Sequence, residues 1–435
     1  MSNLEKYLKI MLKVYVSFFM TMVFLFSRSF VGIEVMEFKV GEISMLMSLI
    51  FLIFSISISY KYDIFANKVT RKFLTTNILF LTSFVIIVII NNGSFIDTYT
   101  YKASSYIWSI GFLYIGLYIG KDIKLTRKIS LLVVLYFIYL YAYAVNDFPS
   151  SIVEFILSIS DKYEPHKGSD ILIMLIIPLF VLNRTFNNAR TSLNILILSS
   201  ALFLPLLLYK SRGAFVTFLI FVILEMYVLR KNFKNSIKSN IIIFILFSTI
   251  FLLSSSIITQ RDIRIDEVST TVTELATYRI PDKNAEFNPI FFLDGRFYSS
   301  DSNLNWRLQI WQDVVKDMSQ NNLFLTGYGF SEKIPAMNDP LRAGDDGLNE
   351  NIHNFLLNVF ARGGLIHFIL YVYLIIQIIK FLKNIFLDIS YLSIVLPVLL
   401  ASLFDASMEN AHFPIIFYFF IGVFMYKEKL FQNRI

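Results

Sequence analysis

Three short groups of residues have types and spacings that could do chemistry. Lys210, Ser211, Arg212 and Gly213 are wedged between two apolar runs with almost no loop. If those runs cross a membrane, a cation there should face a cavity rather than lipid, because ionisable groups at membrane depth are costly and usually functional. Arg212 would also open a helix, where the macrodipole disfavours a cation and favours an anion, so an anionic ligand would relieve the conflict. The plainer alternative is an anchor that snorkels to headgroup phosphates. Arg307 and Trp311 stand about one helical turn apart on one face. A guanidinium held against an indole keeps its fork turned towards phosphate; otherwise it is the wet edge of an amphipathic helix. His353 and Asn354 open an apolar helix ahead of Gly363 and Gly364. A helix N-terminus disfavours a further positive charge, so an imidazole there suits a general base, against the alternative of an interfacial histidine.

The elements that must position these residues are apolar. Hydrophobic residues make up 56% of the 435-residue chain and charged residues 16%, with a mean hydropathy of +0.62, where soluble domains carry roughly 25% charged residues. Apolar runs near residues 14–31, 43–60, 73–91, 103–120, 129–146, 170–183, 192–209, 212–229, 240–258, 363–380, 390–404 and 413–426 predict about twelve transmembrane helices. The sixth and last are short enough to be re-entrant or buried instead. The net charge of +7 invites a nucleic-acid partner. However, the basic residues gather in the gaps (Lys61 to Lys72, Lys121 to Lys128, Arg184, Arg190, Arg230 to Lys238, Lys380, Lys383, Lys427 to Arg434). That is the positive-inside pattern, so no nucleic acid is expected and both termini come out cytoplasmic. The first span reads as a retained helix, since Ser27, Arg28 and Ser29 make a poor cleavage site. There are no cysteines, which excludes disulfides and thiolate metal sites.

One gap breaks the regular spacing. Residues 1–259 hold the first nine spans, 260–351 form a large loop on the non-cytoplasmic side, and 352–435 hold the last three. Within the loop, Gln260 to Asn305 reads as irregular structure. Trp306, Ile310 and Val314, with Trp311, Val315 and Met318, predict an amphipathic helix over Asn305 to Ser319 with Asn305 as N-cap. Gly327 and Gly329 mark a turn, and Asn351 to Ala361 is a second amphipathic stretch leading into the tenth span.

Taken in order, Ser211, Arg212 and Gly213, then Arg307, Trp311, Gly327 and Gly329, then His353, Asn354 and Gly364 resemble the O-antigen polymerase and ligase superfamily over roughly residues 195–426. The sequence departs from that pattern in two places. Asn305 and Trp306 precede Arg307 where relatives often have small residues, which makes Arg296 a substitute candidate. Arg362 precedes the paired glycines, and at about 27 Å from Lys380 it reads as an outer-interface anchor.

The resemblance implies an all-α integral membrane glycosyltransferase of GT-C-like architecture in a bacterial inner membrane, with a periplasmic active site and neither cofactor nor metal. Donor and acceptor would both be undecaprenyl-pyrophosphate-linked oligosaccharides, with membrane lipid, a chain-length regulator and a flippase as partners. Arg212 and Arg307 would neutralise the departing pyrophosphate. His353 would be the catalytic base, supported by Asn354, Trp311, Arg296 and Glu409, with His412 the next candidate. Within the superfamily the polymerase is favoured over the ligase that moves glycan to lipopolysaccharide core. A polysaccharide or lipid-linked oligosaccharide transporter is the reading from another class. The outer segment with its flanking Arg and His argues against it, since alternating access does not need one.

Overall fold

The computed structural model describes residues 3–35, 38–48, 50, 68–95, 97–120, 123, 127–160, 163, 166–185, 189–230, 237–262, 290–342, 349–386 and 389–426. Most of the expected second span, the polar stretch 263–289, and Lys61, Lys121, Lys124, Lys231, Lys234, Lys427, Lys429 and Arg434 lie outside the described residues. The helices are α1 (Asn3–Val31), α2 (Lys68–Ile90), α3 (Thr98–Ala103), α4 (Ser105–Trp108), α5 (Gly111–Gly120), α6 (Arg127–Asn146), α7 (Ser150–Ile159), α8 (Gly168–Thr185), α9 (Ala189–Lys210), α10 (Arg212–Leu229), α11 (Ile237–Asp262), α12 (Ser302–Gln320), α13 (Phe355–Phe386), α14 (Leu392–Phe404) and α15 (His412–Tyr426). A two-stranded antiparallel hairpin, β1 (Phe291–Leu293) and β2 (Arg296–Tyr298), precedes α12.

Among the described residues, six helical stretches are long and apolar enough to cross a membrane: Ile10–Val31, Arg71–Ile90, Arg190–Lys210, Arg212–Leu229, Asn240–Thr259 and Phe355–Phe386. A seventh arises if Leu131–Asn146 and Ser150–Ile159, bent by 82°, count as one span. Ser105–Gly120, Ile389–Phe404 and His412–Met425 are shorter apolar helices. The chain is therefore an all-α, multi-pass membrane protein; among the described residues, which leave out most of the expected second span, full-length spans are fewer than the twelve apolar runs. Hydropathy counts an apolar run without reporting whether its backbone stays helical. The run at 103–120 is broken at Ser104 and again between Trp108 and Gly111, and α7 was not anticipated at all.

Burial sorts the helices by depth. Residues 171–183 of α8 are all buried, which makes it the central post of the bundle, as expected of a helix that is apolar all round. By contrast α11 shows Ile241, Phe244, Ile245, Leu252 and Leu253 outward, a lipid-facing surface. α5 and α15 pack closely because both carry glycine at the crossing. A side chain at Gly116 would meet the Phe419 carbonyl oxygen at 2.1 Å, and one at Gly422 would meet that of Leu113 at 2.0 Å.

The segment between α11 and α13 has its own small core of Ile310, Val314, Met318, Ile334, Met337, Ile352 and Ala361, with Trp306 and Trp311 packed against it. The helix within it starts earlier than expected. Asp301 is its N-cap, accepting from the Leu304 N–H, while Asn305 is buried inside the first turns and bonds the Ser299 N–H. Val315 is exposed, so the buried stripe follows Ile310, Val314 and Met318 alone. Burial pushes the Asp313 carboxyl up, but the guanidinium groups of Arg342 and Arg296 bring it below its ordinary value and brace α12 from two sides.

The two glycine groups form one joint. α13 breaks at Gly364 (φ 67°), where a side chain would strike the Leu325 carbonyl oxygen at 2.2 Å. The carbonyls freed by the break accept from the turn opposite: Tyr328 N–H donates to Ala361 at 2.8 Å and Gly329 N–H to Arg362 at 3.0 Å. Arg362 is not an interface anchor. It is 3% exposed, and its guanidinium donates to Asn358 Oδ1, the Glu332 carbonyl and the Tyr99 hydroxyl, tying the joint to α3. The short first part of α13 is thereby set at an angle to its span, with His353 just ahead of it.

Candidate active site

One end of the bundle collects the start of α8, the α9–α10 junction, the N-terminus of α12, the approach to α13 and the loop between α14 and α15. Arg212, the first residue of α10, is capped from behind by Ser211, whose Oγ accepts from the Ala214 N–H, and its guanidinium forms an ion pair with Asp301. Asp301 is thus at once the cap of α12 and the counter-ion of Arg212. Arg307 follows nearly two turns along α12, within electrostatic reach of both Asp301 and Asp405. Burial lowers the Arg307 guanidinium from its ordinary value and the two carboxylates counter the shift; its Nε is buried with no hydrogen-bond partner among the described residues. Asp405, just past α14, lies 3.7 Å from His353 Nδ1, an ion-pair distance rather than a hydrogen bond. Residues far apart in sequence therefore form an alternating series: Arg212, Asp301, Arg307, Asp405, His353.

α12 positions His353 in two ways. Trp306 meets the imidazole edge-on, with ring centroids 5.1 Å apart. Trp311 donates its indole N–H to the Ile352 carbonyl at 2.7 Å, so its ring braces the loop before His353 instead of supporting Arg307. Ile352 is buried in the core around α12, and Asn354 caps α13 by accepting from the Leu357 N–H at 3.0 Å. Between these two fixed neighbours His353 takes φ 51°, a left-handed conformation uncommon for a residue with a side chain. Its Nε2 lies 3.2 Å from Asn349 Oδ1.

The other histidines are buried. His367 has both ring nitrogens bonded, to Ser83 at 2.7 Å and Tyr106 at 2.9 Å. His412 sits 2.6 Å from Asp170, and His166 is enclosed beside Phe148. Side-chain exposure is 24% at His353 against 0% at His412, so the former is the accessible imidazole.

Arg296 is fully occupied elsewhere, donating to Gln309 and Asp313 and so fastening the hairpin to α12. Glu409, on the short turn Ser407–Glu409, leaves a buried Oε1 with no hydrogen-bond partner among the described residues. Burial raises its carboxyl to about 8; Arg362 opposes this and Asp405 adds to it. For Asp405, burial also pushes the carboxyl up, but His353, Ser169 and the Ala406 N–H more than offset it and hold it well below the ordinary carboxylate range. Asp405, Ser169 and Asn349 were not among the residues read from the sequence. Asp405 follows a helix end in an otherwise apolar stretch, and that isolation was the one available signal.

A family model described as O-antigen ligase matches residues 195–372. No curated protein matches the sequence. The matched stretch runs from within α9 into the spanning part of α13, and so contains Arg212, Arg307, His353 and the glycine joint. It supports the O-antigen polymerase and ligase superfamily and, with it, glycosyltransferase-like activity. Ser169, Asp405 and Glu409 lie outside it.

Proposed function

We propose that this chain is an O-antigen polymerase, joining undecaprenyl-pyrophosphate-linked repeat units on the periplasmic face of the inner membrane by inverting glycosyl transfer. The observation that carries the reading is the alternating series from Arg212 to His353: two guanidinium groups beside a reachable imidazole backed by a carboxylate. An acceptor sugar hydroxyl takes the place of Asn349 at His353 Nε2, and the imidazole carries its proton on Nδ1, facing Asp405, so that the Nε2 lone pair is free to accept. Its oxygen attacks the anomeric carbon of the donor, and the bond from that carbon to the pyrophosphate oxygen breaks. The electron pair leaves with the pyrophosphate, whose charge Arg212 and Arg307 neutralise, and the proton passes to His353. Asp301 would yield Arg212 to the incoming diphosphate, an exchange of one anion for another. The chain's own residues supply each of these roles, so the proposed step uses neither metal nor cofactor.

The description of the matching family favours a second reading, an O-antigen ligase acting on lipopolysaccharide core. The lipopolysaccharide ladder of a deletion strain separates the two. Loss of a polymerase leaves core bearing a single repeat, loss of a ligase leaves bare core with lipid-linked polymer accumulating, and loss of a flippase traps the repeat inside. The proposed orientation is tested by single cysteines in this cysteine-free chain. At Ser302 and Asn338 they should react with an impermeant maleimide in spheroplasts, and at Ser236 and Asn433 they should not; the reverse pattern sinks the periplasmic site.

A further inference from the structure

The loop after α14 carries Asp405 and Glu409, and consecutive residues of the central helix hold it at both ends. Ser169 Oγ donates to Asp405 Oδ2 at 2.7 Å, and Asp170 Oδ1 lies 2.6 Å from His412 Nε2. Ser169, Asp170 and His412 are 7%, 3% and 0% exposed, so this clamp is interior to the bundle. We propose that Ser169 is a positioning residue for the glycosyl transfer, acting through Asp405 on His353; the proposal rests on the reading of His353 as the base.

An aspartate's terminal torsion is broad, so an unaided carboxylate at a helix end samples many orientations. Here two donors fix both oxygens: Ser169 takes Oδ2, and the Ala406 N–H takes Oδ1 at 2.8 Å. The remaining acceptor capacity of Oδ1 is left facing His353 Nδ1. The arrangement borrows rigidity from the place that has most of it. His353 lies on a strained loop at the edge of the outer segment, whereas Ser169 belongs to the first turn of a helix enclosed on every side. Sites held by such elements keep their geometry better than sites held by loops. Asp170 completes the device by anchoring the far end of the same loop, so that Asp405 cannot drift with α15.

The test uses the full-length protein in nanodiscs with a lipid-linked repeat unit as substrate. Ser169→Ala should lower kcat about tenfold, as expected for a misplaced catalytic group, while KM for the donor stays within about twofold and thermal unfolding is unchanged. Placed on top of Asp405→Asn, the serine substitution should cost nothing more, because its action runs through that carboxylate. A second measurement needs no substrate: with four histidines in the chain, the ¹⁵N resonances of His353 are assigned by their loss in His353→Gln. They should move in Ser169→Ala and move no further when Asp405→Asn is already present. An equal tenfold loss in both backgrounds, or an unmoved His353 resonance, overturns the positioning role and leaves Ser169 as packing. A moved resonance in a protein that forms no glycosidic bond upholds the coupling and defeats only the reading it rests on.

Discussion

Glu225 and Asp405 are carboxylates at opposite ends of the bundle, each beside a basic side chain, and they are provided for differently. Glu225 is 0% exposed and receives four donors: both prongs of Arg184, the Asn183 amide and the Ser393 hydroxyl. Arg184 also lies over the Phe180 ring at 3.5 Å. This network ties α8, α10 and α14 together. At the other end, Arg307 Nε, His353 Nδ1 and Glu409 Oε1 are buried with no hydrogen-bond partner among the described residues, and the ion pair between Asp405 and His353 is long. Buried polar groups in native proteins are nearly always satisfied, and the Glu225 end has one exception, Asn183 Oδ1, against these three. On the proposed reading, the first end holds the fold and the second keeps charge in reserve for a ligand.

The comparison breaks most directly at its two best-defined residues. His353→Gln should reduce polymer formation by about 10² to 10⁴, the usual contribution of a general base, with unchanged thermal unfolding. Polymer near the wild-type level would remove the base from this residue and turn attention to Glu409. Arg184→Ala should do the opposite: strand Glu225 and cost about 3–5 kcal/mol, read as a large drop in unfolding temperature and in membrane accumulation. A stable, inserted Arg184→Ala protein would mean that Glu225 has another way of being satisfied.

Substitutions that keep charge sharpen the contrast. Arg307→Ala and Arg212→Ala should each abolish polymer without loss of the protein from the membrane, and lysine at either place should restore only part, because a point charge replaces a two-pronged donor. Full activity in Arg307→Ala would count against the diphosphate clamp itself, since Arg296 is already engaged with Gln309 and Asp313.

The pH dependence tests Glu409. Its carboxyl is raised from the ordinary 4.5 to about 8. Over that interval the folded state holds the proton more tightly than the unfolded chain, so this residue's contribution to stability falls as pH rises from about 4.5 and is lost through about 8. Glu409→Gln should therefore flatten the dependence of unfolding temperature on pH across this window and unfold higher than wild type at its alkaline end. An unaltered profile would place the titrating group elsewhere.

The smallest effect is expected at Asp301. Asp301→Asn keeps a helix cap but releases Arg212, whose side chain is 82% exposed, so donor KM should fall by less than about fivefold. A rise would show that Asp301 orders the site instead of occupying it.

The sequence by itself determined that the chain is apolar, helical and membrane-spanning and that α12 forms in the long polar segment, and it named Arg212, Arg307 and His353 as candidates. These depend on local composition and periodicity, or on the order of short motifs, and one dimension carries them. Only the structure decided where the described helices break, as at Ser104 and Gly364, because such breaks do not alter hydropathy. It also decided that Trp311 braces Ile352, that Arg362 is interior, and that Asp405 and Ser169 stand behind His353. Each of these is a contact between residues far apart in the chain. A hydrogen bond acts over about 3 Å of space irrespective of sequence separation, so no spacing along the chain could have announced them.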